Sequence, residues 1–190
     1  MPKRTLALVI GLIVLTVILL LIAFNTGKKQ STTPQPAGTA SMSPAPTIPA
    51  YTVLSFAKNP VPVSGTTGSV DIVIDTDQNE VNAIQLEIAY DPSILSNVNI
   101  TANGLFANPL QLLKQIDPET GRITFEYAVP PSQKSVKGKG TVATMTFTKA
   151  AGSTATSTEI QLLPDSLATA VGVSGSVLKS TDNTTIQFQQ

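Results

Sequence analysis

The sequence predicts an all-β fold for residues 51–190, namely an antiparallel two-sheet sandwich with jelly-roll topology and eight or nine strands. Three observations lead to this prediction. Apolar and polar residues alternate with a period of two, which is typical of strands with one buried and one wet face. Turn-forming pairs such as Asp91-Pro92 and Asn103-Gly104 separate the alternating runs. No βαβ pattern appears between them, which disfavours a parallel α/β sheet.

Five runs show the alternation most clearly. In one of them, Ile84, Leu86 and Ile88 alternate with less apolar neighbours. The five runs span residues 69–75, 82–90, 122–129, 141–149 and 184–189. Further strands are expected at 52–57, 97–102, 158–163 and 168–173. The apolar segment 105–115 lacks the alternation and predicts a short helix or an irregular crossover.

An uncharged apolar segment, residues 5–24, precedes this domain. A helix of that length rises about 30 Å, the thickness of the hydrocarbon core of a bilayer. We therefore predict that residues 1–29 form a transmembrane signal-anchor, with residues 51–190 outside the cytoplasm. The alternative is a cleaved signal peptide, whose apolar stretch is usually only about 7–15 residues long and ends in a small-x-small site. No clear site of that kind follows this segment.

Residues 30–50 predict a semi-extended linker. They contain five Pro, seven Ser or Thr and no charge, so they offer neither a helix nor a core. The balance of charge changes across this linker. The chain has 12 basic and 12 acidic residues, but only Lys3, Arg4, Lys28 and Lys29 are charged before residue 58. Residues 1–50 therefore carry +4, and the domain that follows carries −4.

The amino-acid composition also limits the classes of function that the chain can have. The chain contains no His and no Cys, which excludes thiol nucleophiles and imidazole or thiolate metal ligands. It also disfavours serine hydrolases, which usually need a histidine base. The net charge of zero argues against a nucleic-acid partner, since nucleic-acid-binding proteins normally carry a basic excess. We expect a binding protein without a cofactor rather than an enzyme.

Three motifs carry a resemblance to a known family. The segment Leu86–Leu95 has the pattern Leu-x-Ile-x-Tyr-Asp-Pro-Ser-x-Leu, and it is followed by Gly121-Arg-Ile-Thr-Phe125 and by the glycine-led strand Gly140–Phe147. Together they resemble a cohesin domain over most of residues 51–190. The resemblance implies a nine-stranded jelly roll that binds noncovalently. Cohesins hold dockerin modules, which carry calcium in their own EF-hand-like loops. In cellulosomes this tethers polysaccharide-degrading enzymes, sometimes to the cell surface.

The strand pattern places Gln85, Glu87, Thr124 and Glu126 on an outward sheet face. We predict that these four residues meet a protein partner of dockerin type. Cellulosomal cohesins often carry Asn and Asp on the strand that here presents Ala83 and Gln85. Because this sequence departs from that pattern, the contacts known for cellulosomal cohesins do not carry over, and we expect a partner face of different chemistry.

Two other functions remain open at this point. The first is a carbohydrate-binding module that recognises a polysaccharide. An exposed stacking platform is hard to build, because the chain has no Trp and five aromatic residues fall on the buried side of their strands. These are Tyr90, Phe125, Tyr127, Phe147 and Phe188. The second alternative is a glycoside hydrolase using Glu87 and Glu126, which would require the two carboxyl groups to lie close together.

Two charged segments complete the candidate sites. Oxygen ligands of the kind that bind calcium are packed into one turn, formed by Asp75, Asp77, Asn79 and Glu80. The EF-hand pattern is incomplete there, so a solvated turn is the alternative. Three lysines, Lys134, Lys137 and Lys139, lie in a loop that could dock an acidic partner or remain solvated.

Overall fold

The computed structural model describes residues 48–189, which form two β-sheets around one hydrophobic core. The twelve strands are β1 (Thr52–Phe56), β2 (Val61–Ser64), β3 (Thr67–Asp75), β4 (Val81–Tyr90), β5 (Leu95–Ala102), β6 (Leu110–Asp117), β7 (Arg122–Ala128), β8 (Lys139–Lys149), β9 (Ser157–Leu162), β10 (Leu167–Ala170), β11 (Leu178–Thr181) and β12 (Thr184–Gln189). The predicted anchor and nearly all of the predicted linker lie outside the described residues. Within 48–189, no helix is long and apolar enough to cross a membrane.

The two sheets differ in size. One has five strands in the order β11-β1-β3-β8-β5, and the other has seven, in the order β2-β12-β9-β4-β7-β6 with β10 paired to β4. The predicted two-sheet all-β sandwich is confirmed, but eight or nine strands was too few. Most neighbouring strands are antiparallel, as predicted. The exceptions are β1 with β11 and β2 with β12, which run parallel and place the first strands of the domain beside the last ones.

The alternating residues form the core as the sequence predicts. Ile84, Leu86 and Ile88 of β4 are at most 1% exposed, whereas the side chains between them point outward and are half-buried. All five aromatic residues assigned to the buried side are buried. Among them, Tyr127 donates its hydroxyl to the Val142 carbonyl oxygen at 2.7 Å, and burial raises the pKa of this phenol.

Strand β6 corrects the sequence-based prediction of a helix or an irregular crossover at 105–115. It lies at the edge of the seven-stranded sheet and pairs only with β7, through register pairs such as Ile116 with Ile123. A bulge between Gln111 and Leu113 shifts the register within the strand. Because an edge strand with a bulge buries little of either face, its sequence shows no regular alternation.

The turn between β6 and β7 packs against the end of β4 and is hydrogen-bonded to it. Gly121 adopts a φ of 66°, and its carbonyl oxygen accepts a hydrogen bond from the Tyr90 amide at 2.9 Å. A Cβ at this position would collide with the Tyr90 carbonyl oxygen, so only glycine fits. Asp117 closes the same turn by accepting hydrogen bonds from the hydroxyl and amide of Thr120 and from the Glu119 amide, which lower its pKa. The turn thereby fixes β6 beside β7 and β4.

Candidate partner-binding face

The four predicted partner-binding residues form one patch. Strands β4 and β7 are direct neighbours, with Gln85 paired to Glu126 and Glu87 paired to Thr124. The Glu87 carboxylate accepts a hydrogen bond from the Gln85 amide and another from the Thr124 hydroxyl, each at 2.8 Å. These bonds hold three of the four side chains in a fixed arrangement on the outer side of the seven-stranded sheet.

Exposed leucines border this patch on both sides. Leu113 of β6 pairs with Glu126, and Leu110 of β6 pairs with Ala128. On the far side of β4, Leu167 of β10 pairs with Gln85. The name leucine-flanked face is used below for Ala83, Gln85, Glu87, Leu110, Leu113, Gln115, Thr124, Glu126, Ala128 and Leu167. Leu110, Leu113 and Leu167 are 51%, 41% and 39% exposed.

The polarity of the face changes along the strands. At one end, Ala83, Ala128 and Leu110 form an apolar cross-strand row. The next row contains the Gln85–Glu126 pair between two leucines, and the row beyond it contains the hydrogen-bonded pair of Glu87 and Thr124. A surface that combines apolar side chains with a few oriented polar groups is typical of a protein interface.

Glu126 differs from Glu87 in its contacts. Within residues 48–189, the structure gives the Glu126 carboxylate neither a hydrogen bond nor an ion pair, although the side chain is half-buried. The residues on either side of it in the same row are Gln85 and Leu113. The face therefore holds one carboxylate that accepts two hydrogen bonds within the domain and one that accepts none from the described residues.

Sequence reasoning found the polar residues of this face but not its leucines. Leu110 and Leu113 were part of the segment predicted as a helix or crossover, and Leu167 stood just before a predicted strand. The signal that could have found them was the apolar run around Leu112, which lacks the alternation that would bury one side. An apolar run without an inward side either packs irregularly or lies exposed.

The predicted calcium turn has a different arrangement. Asn79 is only 2% exposed, and its side chain binds the chain as it enters the domain. Its amide nitrogen donates to the Pro49 carbonyl oxygen at 3.1 Å, and its oxygen accepts from the Tyr51 amide at 2.9 Å and the Thr52 hydroxyl at 3.1 Å. Asn79 thus fastens β1 to the β3–β4 turn, a role that the sequence did not reveal.

Two of the three acidic residues of that turn contact the segment that carries the three lysines. Asp75 forms an exposed ion pair with Lys139 at 3.3 Å, and Glu80 accepts a hydrogen bond from Ser135. Asp77 is exposed, and its amide donates to the Asp75 carboxylate. No group of three or more acidic side chains in the described part of the chain is arranged to hold a metal ion. Calcium binding at this turn therefore stays a prediction without structural support.

The two carboxyl groups proposed for glycoside hydrolysis lie on adjoining strands. Glu87 and Glu126 are diagonal neighbours rather than a register pair, because Thr124 and Gln85 are their respective partners. The hydrogen bonds of Glu87 come from Gln85 and Thr124, and they suit a fixed surface acceptor. The arrangement supports recognition more directly than acid–base chemistry.

Comparisons with known proteins give the family. The model of the cohesin domain matches residues 54–188. No curated protein sequence gives a significant match. Solved structures confirm the fold. The third cohesin of ScaC from Acetivibrio cellulolyticus, solved in complex with the ScaB dockerin, is 15% identical with a TM-score of 0.61, and the match covers 74% of this chain and 100% of that one.

Two further cohesins widen the range of organisms. The seventh ScaB type I cohesin from Pseudobacteroides cellulosolvens is 18% identical, with a TM-score of 0.59 and coverage of 73% of this chain and 92% of that one. A non-cellulosomal cohesin from the archaeon Archaeoglobus fulgidus is 15% identical, with a TM-score of 0.57 and coverage of 74% and 93%. Because the family model matches most of its sequence, the chain belongs to the cohesin family, whose members are non-catalytic binding modules.

Proposed function

We propose that this chain is a membrane-anchored, extracytoplasmic cohesin that binds a dockerin-type module noncovalently through the leucine-flanked face. Membership of the cohesin family supports a protein partner. A cohesin of the same fold was solved in complex with a dockerin, which supports the type of partner. The bound module would link its own protein to the surface on which this chain is anchored.

The distribution of exposed apolar residues supports the leucine-flanked face as the binding surface. The described chain has six exposed large apolar residues, and three of them belong to the leucine-flanked face while a fourth, Leu112, lies at the bulge beside it. The outer side of the five-stranded sheet has none of them and presents polar side chains such as Thr144, Thr146 and Thr148. Exposed apolar surface is concentrated where a partner would exclude water.

The anchor is supported by the sequence alone. Residues 5–24 are apolar and long enough to span a bilayer, and the Pro-rich residues 30–50 would space the domain from the membrane. In cells of the source organism, we expect the chain to stay in the membrane fraction after alkaline extraction. Protease added outside the cells should remove residues 51–190. Release of the domain into the medium would instead indicate a cleaved signal peptide.

The partner is tested by titrating the full chain, in detergent micelles, with the calcium-loaded dockerin modules encoded in the same genome. At least one should bind, and a chelator should abolish binding because the dockerin carries the calcium. Thr124→Arg should weaken binding, whereas the matched Thr146→Arg on the other sheet should not. The absence of binding by every dockerin would contradict the proposal, and so would equal losses from the two variants.

A further inference from the structure

We propose that the end of the domain at which the chain enters it docks on an anionic lipid surface. Two exposed apolar side chains, Ile48 and Val171, lie among the lipid headgroups, and two lysines, Lys134 and Lys137, contact the phosphates. This inference rests on the membrane anchor of the proposed function, and it adds how the anchored domain is oriented. The argument depends on the exposed apolar residues, on the distribution of charge and on the length of the tether.

The first described residues and two loops meet at the β3–β4 turn. The Asn79 side chain of this turn donates to the Pro49 carbonyl oxygen. The next residue, Glu80, accepts a hydrogen bond from the Val171 amide on its carbonyl oxygen and one from the Ser135 hydroxyl on its carboxylate, each at 3.2 Å. The name proximal end is used below for residues 48–51, 76–80, 130–138 and 171–176.

Two exposed apolar residues lie at the proximal end. Ile48 is 40% exposed, and Val171, at 56%, is the most exposed of the six large apolar residues on the surface of the described chain. The other four lie on strands β6 and β10, namely Leu110, Leu112, Leu113 and Leu167. Apart from those strands, exposed large apolar side chains of residues 48–189 therefore occur only where the chain enters the domain. Such side chains gain free energy when they are buried at the boundary of headgroups and acyl chains.

Two lysines extend from the same end. Lys134 and Lys137 are exposed, and the described residues give neither of them an ion pair. The exposed acids of this end are Asp77 and Glu80, and the Glu80 carboxylate is held by Ser135. A lysine ammonium lies at the end of a longer side chain than either carboxylate, so the two cations reach lipid phosphates while the acids stay closer to the backbone.

The opposite end of the domain is acidic. Its β4–β5 and β6–β7 turns carry Asp91, Asp117 and Glu119, and the nearest cation in sequence is Arg122. An anionic bilayer attracts basic groups near its surface and repels acidic ones. It therefore repels this end and accepts the proximal end.

The tether makes a weak lipid contact sufficient. Residues 25–47 connect the apolar segment to the first described residue and span about 80 Å at full extension. A tether of this kind gives an effective concentration on the order of 1 mM, so a contact that is too weak to recruit a free domain is populated in the anchored one. Because β4 begins and β7 ends beside the proximal end, docking leaves the leucine-flanked face on the side of the domain, open to a partner.

A fluorescent probe at Val171 tests the docking. The chain contains no Cys, so Val171→Cys can be labelled at one site with an environment-sensitive dye. The full chain is inserted into vesicles of phosphatidylcholine and phosphatidylglycerol, with or without a nitroxide near the lipid headgroup. We expect the emission to shift to shorter wavelength and to be quenched by the nitroxide. The matched control is Thr154→Cys, exposed in the β8–β9 loop at the opposite end, and it should show neither change.

A charge variant tests the role of the lysines. In the chain labelled at Val171, Lys137→Gln should lower the ratio of docked to undocked domain about fivefold in the anionic vesicles. It should have no effect in vesicles of phosphatidylcholine alone. Lys58→Gln is the control, because Lys58 is exposed in the β1–β2 loop at the opposite end, and it should change neither ratio.

Several results would overturn the proposal. Equal effects of Lys137→Gln and Lys58→Gln would show that the proximal end does not recognise anionic lipid. An emission shift that grows with the number of chains per vesicle, without nitroxide quenching, would assign this end to a second copy. Alkaline extraction of the same vesicles separates the inference from the proposed function. An unquenched Val171 probe on a chain that resists extraction overturns the inference alone, whereas a chain that is extracted contradicts the proposed anchor.

Discussion

Replacing Asn79 with alanine should destabilise the domain without touching the proposed binding face. The Asn79 side chain makes three hydrogen bonds, to the Pro49 carbonyl, the Tyr51 amide and the Thr52 hydroxyl. A hydrogen bond of this kind contributes about 1 kcal/mol net. Both Asn79 and Thr52 are buried, so the substitution also leaves a buried hydroxyl without its acceptor. We expect a loss of about 3 kcal/mol in the free energy of unfolding.

The measurement is thermal unfolding of the full chain in micelles, with Gln78→Ala as the control because Gln78 is exposed in the same turn. For a domain of this size, Asn79→Ala should lower the midpoint by about 10 °C, and the control should change it little. An unchanged midpoint would refute the fastening role of Asn79. A midpoint that rises with calcium in the wild type, but not in Asn79→Ala, would show that Asn79 is a metal ligand instead.

Two further predictions concern the turns that position the face. In urea unfolding, Gly121→Ala should destabilise the domain by more than Gly152→Ala. Both glycines have a positive φ, but only at Gly121 would a Cβ collide with the Tyr90 carbonyl oxygen. Equal losses of stability in the two variants would contradict the proposed collision. Hydrogen bonds from Ser93 and from Thr120 lower the pKa values of Asp91 and Asp117, respectively, below the usual value of about 4. The two ionised carboxylates therefore stabilise the folded state above about pH 4, and this stabilisation is lost as the pH falls through their folded-state pKa values. The urea midpoint should therefore fall on acidification below about pH 4, and by less in Asp117→Asn.

The alternation of apolar and polar residues was sufficient to predict the central strands. In β4 and β7, burial of one side imposes a period of two that the sequence shows directly. The same rule could not find β6, because both of its sides are largely exposed and the bulge near Leu112 interrupts the period. It also missed β2, a four-residue edge strand containing Pro62, and the equally short β11.

The candidate site was predictable to a similar degree. The alternation of apolar and polar residues placed the side chains of Gln85 and Glu126 on the outward side of their strands. Only the strand order shows that β4 and β7 are neighbours. Strand order depends on which strands pair across the whole domain, and a local pattern does not contain that information. The role of Asn79 was hidden for the same reason, since its partners lie about 30 residues earlier in the chain.

The most direct test of the binding face is the methyl NMR spectrum of the chain with a dockerin that binds it. Addition of the dockerin should shift the methyl signals of Leu110, Leu113 and Leu167, which lie exposed on the face. The signals of Val73, on the outer side of the five-stranded sheet, should not move. Shifts at Val73 with unchanged leucine signals would contradict the account and assign binding to the other sheet.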